Sequence, residues 1–163
     1  MANQVPRMDP IESRAWLALI GTAELLPTAL DAQLQADSAM THFEFMVLGS
    51  LIRSPEGRLG MTALAASTNA TLPRLSKVVT RLAARGLVER STAPADRRAV
   101  DVELTGEGRA AVVRALPGHL ETVRRIVLDG LTPEQQVALA DALEPVVARL
   151  DPRGEFAGRG GHG

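Results

Sequence analysis

Apolar positions recur along the chain with two periods. Ile11, Ala15, Leu19, Leu25, Leu26, Leu30 and Leu34 fall at roughly helical spacing and predict a long amphipathic helix over residues 11–36, bent near Pro27. Thr41 with Glu44 makes a capping box, and Met40 with Phe45 occupies the staple positions of a second helix reaching Ile52. Ser54-Pro55-Glu56-Gly57 ends it. A short helix over residues 62–67, a turn at 68–70 and a helix over 71–85 follow, the last with Pro73 in its first turn and Gly86 as its stop. Leu72, Leu75, Val78, Val79 and Leu82 form the inward face of that helix, and Pro73, Arg74, Ser76, Lys77, Thr80, Arg81 and Ala84 the outward one.

From Leu87 the period changes to two. A strand reaching Arg90, a polar turn over 91–98 and the alternation Val100, Val102, Leu104 predict a two-stranded ribbon with a charged tip. Thr105 then caps a helix to about Asp129, broken or kinked at Pro117-Gly118. Thr132-Pro133-Glu134-Gln135 opens a last helix to about Leu150, bent by Pro145. The Gly-rich residues 151–163 are expected to be disordered. The fold class is therefore mainly α with a small β-wing: residues 1–40 an N-terminal helix, 41–104 a winged helix-turn-helix unit, 105–150 the C-terminal helices, and 151–163 a tail.

Composition narrows the chemistry. The 163 residues contain no Cys, which excludes disulfides, thiolate metal sites and cysteine redox sensing. His42, His119 and His162 have no ligand spacing, so no metal and no cofactor is expected. The N-terminal residues lack the apolar core of a secretory signal, and residues 15–23 are too few to span a bilayer, so a cytoplasmic protein with no membrane partner is expected. There is no Gly-rich phosphate loop and no nucleophile–base arrangement, so no enzyme is expected.

The net charge of −1 hides a strong asymmetry. Residues 53–98 carry nine basic and three acidic side chains, a local excess of +6, while the remainder carries nine basic and sixteen acidic. Phosphate affinity follows local charge, so the middle of the chain is the candidate polyanion-binding module. A short helix, a tight turn and a helix with a basic outer face make a helix-turn-helix, and the charged ribbon after it makes a wing. Thr71, Pro73, Arg74, Ser76 and Lys77 lie at the leading end of the second helix, with Thr80 and Arg81 one turn on, where side chains can reach base edges in a major groove. Arg97 and Arg98 at the ribbon tip suit a narrow minor groove, and Asp96 beside them is assigned an orienting role. A solvated helix face and an ordinary surface salt bridge are the bland alternatives. So is a winged-helix module that binds a protein and no DNA, which would not need the basic segment.

These residues resemble a known family. RLGMTALA at 58–65, LSKVVTRLAARGLVER at 75–90, DRR at 96–98 and LTGEG at 104–108 look like the multiple-antibiotic-resistance regulator (MarR) family, with Gly108 one place earlier than the usual spacing. The resemblance covers about residues 16–150. It implies a homodimeric transcriptional repressor on a pseudo-palindromic operator in double-stranded DNA, with the first and last two helices interleaved between subunits. The apolar stripes of those helices, with nothing local to bury them, agree independently. It also implies release by a small apolar or phenolic ligand in a cleft beside the winged unit. By position, Trp16, His42, Phe43 and Met46 could line it; core packing for the aromatic residues and simple solvation for His42 are the alternatives.

Overall fold

The computed structural model describes residues 7–93 and 96–156, with side chains described at all of these except residues 93 and 96–99. Helix α1, Pro10–Ser38, starts on an Asp9 capping box and runs unbroken through Pro27. It ends at Ala39 in the left-handed region (φ 48), which aims the chain into the Thr41 capping box of α2, His42–Arg53. Pro55–Gly57 forms a single 3-10 turn in which Glu56 and Gly57 both have positive φ. Then come β1, Arg58–Gly60, and α3, Met61–Ser67. Helix α4 is Leu72–Ala84, capped by Thr71. Strands β2, Val88–Ala93, and β3, Asp96–Leu104, form the wing. Helix α5, Gly106–Val123, passes into a π-helical turn, Arg124–Leu128, before α6, Pro133–Leu150.

The sheet has three strands and not two, antiparallel, in the order β1-β3-β2. Leu59 opposes Val102, and Val88 opposes Leu104. Three residues are too few to show a period, so β1 has no local signature; it exists because β3 offers it an edge. The strands also extend into the predicted polar turn, to Ala93 on one side and from Asp96 on the other, with an irregularity between Thr92 and Ala93.

One core joins α2, α3, α4, the sheet and Val112 of α5, built on Val47, Leu48, Leu51, Leu64, Leu75, Val79, Leu82, Val88 and Val102, with Met40 fully buried in it. Leu75, Val78, Val79 and Leu82 are buried as expected, but Leu72 is 47% exposed. It is the first residue of α4, and the buried stripe starts one turn later, at Leu75.

Two further expectations are corrected. The helix expected to be broken or kinked at Pro117-Gly118 is not broken there: it continues to Val123, and its irregularity falls at 124–128. A Cβ on Gly118 would lie 3.0 Å from Asp37 Oδ2 and 3.3 Å from Gln33 Nε2, so α5 lies close against α1 there, and that packing holds the helix through the proline. Of the tail, residues 151–156 form a turn in place of disorder. The Asp151 carboxylate accepts from the backbone N–H groups of Glu155 (3.1 Å) and Phe156 (3.0 Å). The rest of the tail lies outside the described residues.

Candidate nucleic-acid interface

Helix α4 owes its position to its two ends. Thr71 Oγ1 accepts from the Arg74 N–H at 3.4 Å, and Pro73 sits in the first turn, where a missing donor does no harm. At the other end Gly86 (φ 70) donates to Ala83 O at 2.9 Å and Leu87 to Leu82 O at 3.0 Å. This left-handed closure satisfies the last carbonyls and turns the chain directly into β2. With Leu75, Val78, Val79 and Leu82 in the core, Thr71, Pro73, Arg74, Lys77, Thr80 and Arg81 are exposed along one face and Ser76 is half-buried.

Several of these side chains already have partners. Arg74 lies over the Phe43 ring, 4.1 Å from its centroid. The Thr80 hydroxyl donates to Ser76 O at 2.9 Å and accepts from Arg90 Nη1 at 3.4 Å. Arg81 Nε and Arg85 Nη1 each lie 3.3 Å from the buried carboxylate of Glu44. Sequence reasoning missed Glu44 as anything beyond a capping residue, and counted Arg85 and Arg90 in the basic segment without giving either a role. The recurrence of arginine at 81 and 85, one helical turn apart, was the only available signal of a shared partner. At the wing's base Arg58 Nη2 pairs with Glu103 Oε2 at 2.6 Å, so that cation is largely neutralised within the sheet. The backbones of Asp96, Arg97 and Arg98 belong to β3, while their side chains, which carry the predicted minor-groove contacts, lie outside the described residues.

Of the four residues expected to line a ligand cleft, His42, Phe43 and Met46 lie on α2 and Trp16 on α1. Trp16 is 48% exposed. Phe43 lines a groove of about 490 Å³ between α1, α2 and α4, together with Asp31, Arg74, Lys77 and Arg81. His42 is neither in that groove nor freely solvated. Its backbone N–H donates to Asp31 Oδ1 at 2.8 Å, and its ring stacks on His119 of α5 with centroids 6.1 Å apart. Burial pushes both imidazoles below the ordinary histidine value, and neither Nδ1 has a partner among the described residues. Met46 is half-buried on the same helix. Among the described residues no cluster of three or more His, Cys, Asp or Glu could hold a metal, and no helix is long and apolar enough to cross a membrane.

A cationic helix standing out from a shared core, flanked by a β-hairpin, defines a winged helix-turn-helix protein. The MarR family model matches residues 40–99, which run from the entry to α2 into the wing. A DNA complex of Sco3205, a MarR family transcriptional regulator from Streptomyces coelicolor, superposes with a TM-score of 0.83 at 41% identity, over 93% of this chain and 95% of that one. Bordetella bronchiseptica BpsR, whose DNA binding is regulated by 6-hydroxynicotinic acid, aligns with a TM-score of 0.69 at 31% identity, over 80% and 96% of the two chains. The HTH-type transcriptional repressor NicR of Pseudomonas putida is 30% identical over 120 residues, covering 74% of each protein. The chain belongs to the MarR family of transcriptional regulators.

Proposed function

We propose that this chain acts in the cytoplasm as a homodimeric repressor, seating two copies of α4 in successive major grooves of a pseudo-palindromic operator, about 34–36 Å apart, with the wings over flanking minor grooves. The observation that carries the reading is the division of α4, which buries four apolar residues on one face and exposes Arg74, Lys77, Thr80 and Arg81 on the other. Arg74 and Lys77 suit guanine O6 and N7; Thr71, Ser76 and Thr80 tolerate several partners. Arg97 and Arg98 supply the wing contact, oriented by Asp96. Sco3205 was solved on DNA, and it shares this architecture.

Dimerisation uses the helices outside the winged unit. Exposed Ile11, Leu17 and Leu25 on α1, Val113 and Leu116 on α5 and Val137 on α6 give apolar faces that a second copy would cover. Its work is binding, with no catalytic step. Release would come from a small aromatic ligand, a class to which 6-hydroxynicotinic acid, the regulator of BpsR's DNA binding, belongs. The groove beneath Phe43 suits an aromatic anion, because its cations Arg74, Lys77 and Arg81 are the ones that face the duplex, so ligand and DNA would compete for them.

The deciding experiment is duplex binding across a salt series. Affinity should fall linearly with log salt, with a slope of about −0.9 per phosphate contacted. Failure to bind duplex at low salt would remove the reading. Addition of aromatic carboxylates and phenols to the bound complex then tests the ligand.

A further inference from the structure

A carboxylate near a recognition surface repels phosphate, yet Glu44 lies directly against the cationic helix. It is 4% exposed. Its Oε1 accepts from Arg81 Nε and its Oε2 from Arg85 Nη1, each at 3.3 Å. Oε2 also accepts from the Thr41 backbone N–H at 3.0 Å, and the Glu44 N–H donates to Thr41 Oγ1 at 3.0 Å. The carboxylate is therefore fixed by the first turn of α2 before it meets α4, and it grips two arginines one helical turn apart.

The atoms used distinguish the two arginines. Arg81 gives its Nε–H to Glu44, which leaves the end edge formed by its two Nη groups outside that hydrogen bond, on a side chain 57% exposed. Arg85 gives a terminal Nη1, on a side chain 38% exposed. A guanidinium held on one edge keeps its plane fixed for a second, bidentate contact, with less rotamer freedom left to lose. One held by its tip has its end edge occupied by the carboxylate, and that edge is the one best placed for a bidentate phosphate contact.

We propose that Glu44 is a positioning residue for DNA reading. It presents the Nη edge of Arg81 to the duplex, holds Arg85 back from the backbone, and so fixes the roll of α4 in the groove. A loose cation at the far end of the helix would add phosphate contacts that carry no sequence information, and a helix free to roll toward them would seat its base-reading side chains less well on the right sequence. The proposal rests on the DNA-binding reading above.

The test selects a preferred duplex from a random pool with the wild-type protein and measures it beside a shuffled duplex of equal length over a salt series. For Glu44→Gln, preference for the selected duplex should fall roughly ten-fold and the salt slope on the shuffled duplex should steepen by about 0.9, as one released guanidinium finds a phosphate. Arg85→Gln should leave that slope unchanged. Equal weakening on both duplexes with an unchanged slope would show that Glu44 only supports the fold and would overturn the proposal. So would a slope flattened by about 0.9 in Arg85→Gln. If Glu44→Gln fails to fold, the Arg85→Gln slope still decides. A wild-type protein that selects no sequence at any salt refutes the DNA-binding reading itself, and is separable from every outcome with the variants.

Discussion

The guanidinium carbon of Arg74 sits 4.1 Å from the centre of the Phe43 ring, so the leading cation of α4 rests on an aromatic face supplied by α2. Such a contact contributes about 0.5–1 kcal/mol at an exposed site and limits the rotamers from which Arg74 reaches a base. Arg74→Ala should cost on the order of 1–3 kcal/mol on the preferred duplex and relax base choice at one position. Arg97→Ala or Arg98→Ala should weaken all sequences evenly. Competition assays with singly substituted duplexes check both, and an even loss for Arg74→Ala would deny it a base contact.

Acid should destabilise the protein through the α2–α5 contact. Burial lowers the His42 and His119 pKa values below the ordinary 6.5; the neighbouring His42 lowers His119 further, and Asp31 partly opposes the shift at His42. The unfolded chain then binds more protons below pH 6.5, so this stability is present above that value and is lost as pH falls through it. Thermal melts from about pH 8 to about pH 5 should show the fall, and His119→Phe, which keeps a ring between Phe45 and His42, should flatten it. An unchanged acid slope in that variant would place the effect elsewhere.

Gly108 joins the wing to α5 by close approach. A Cβ there would collide with the Leu87 carbonyl oxygen and come within 2.8 Å of Leu104 Cδ1, and that carbonyl also accepts from the Thr105 N–H at 3.2 Å. Gly108→Ala should therefore destabilise by about 1–3 kcal/mol, measured by chemical denaturation. A neutral result would mean that the α5 start can shift outward freely.

Val137 is exposed on α6, a helix with no buried residue in its own chain. Val137→Asp should shift the molecule from dimer toward monomer in sedimentation, with the winged unit still folded. Retention of the dimer would place that face of α6 outside the interface.

Local chemistry made the helices legible. The capping boxes at Thr41 and Thr132, the Gly86 stop and the buried stripe of α4 are all written within four or five residues of chain, where side chain and backbone meet directly. What sequence reasoning lacked was tertiary. Strand β1 depends on a partner more than forty positions away, since Leu59 pairs with Val102. The helix through Pro117 is held by α1, and the Glu44 contacts span 37 and 41 positions. Leu72 misled because a stripe read by period alone does not say at which turn of a helix its cover begins. The outward cations of α4 were legible, whereas their seats on Phe43 and Glu44 were not, because both seats lie on another helix.

Helix α6 has consequences for a newly made subunit. Eighteen residues of which none is fully buried, with Leu143, Val146 and Val147 only half-covered, draw little stability from their own chain. Completing the fold and finding a mate then become linked equilibria, and the melting midpoint rises with subunit concentration. The abundance of the regulator thus sets its shape as well as its occupancy of DNA.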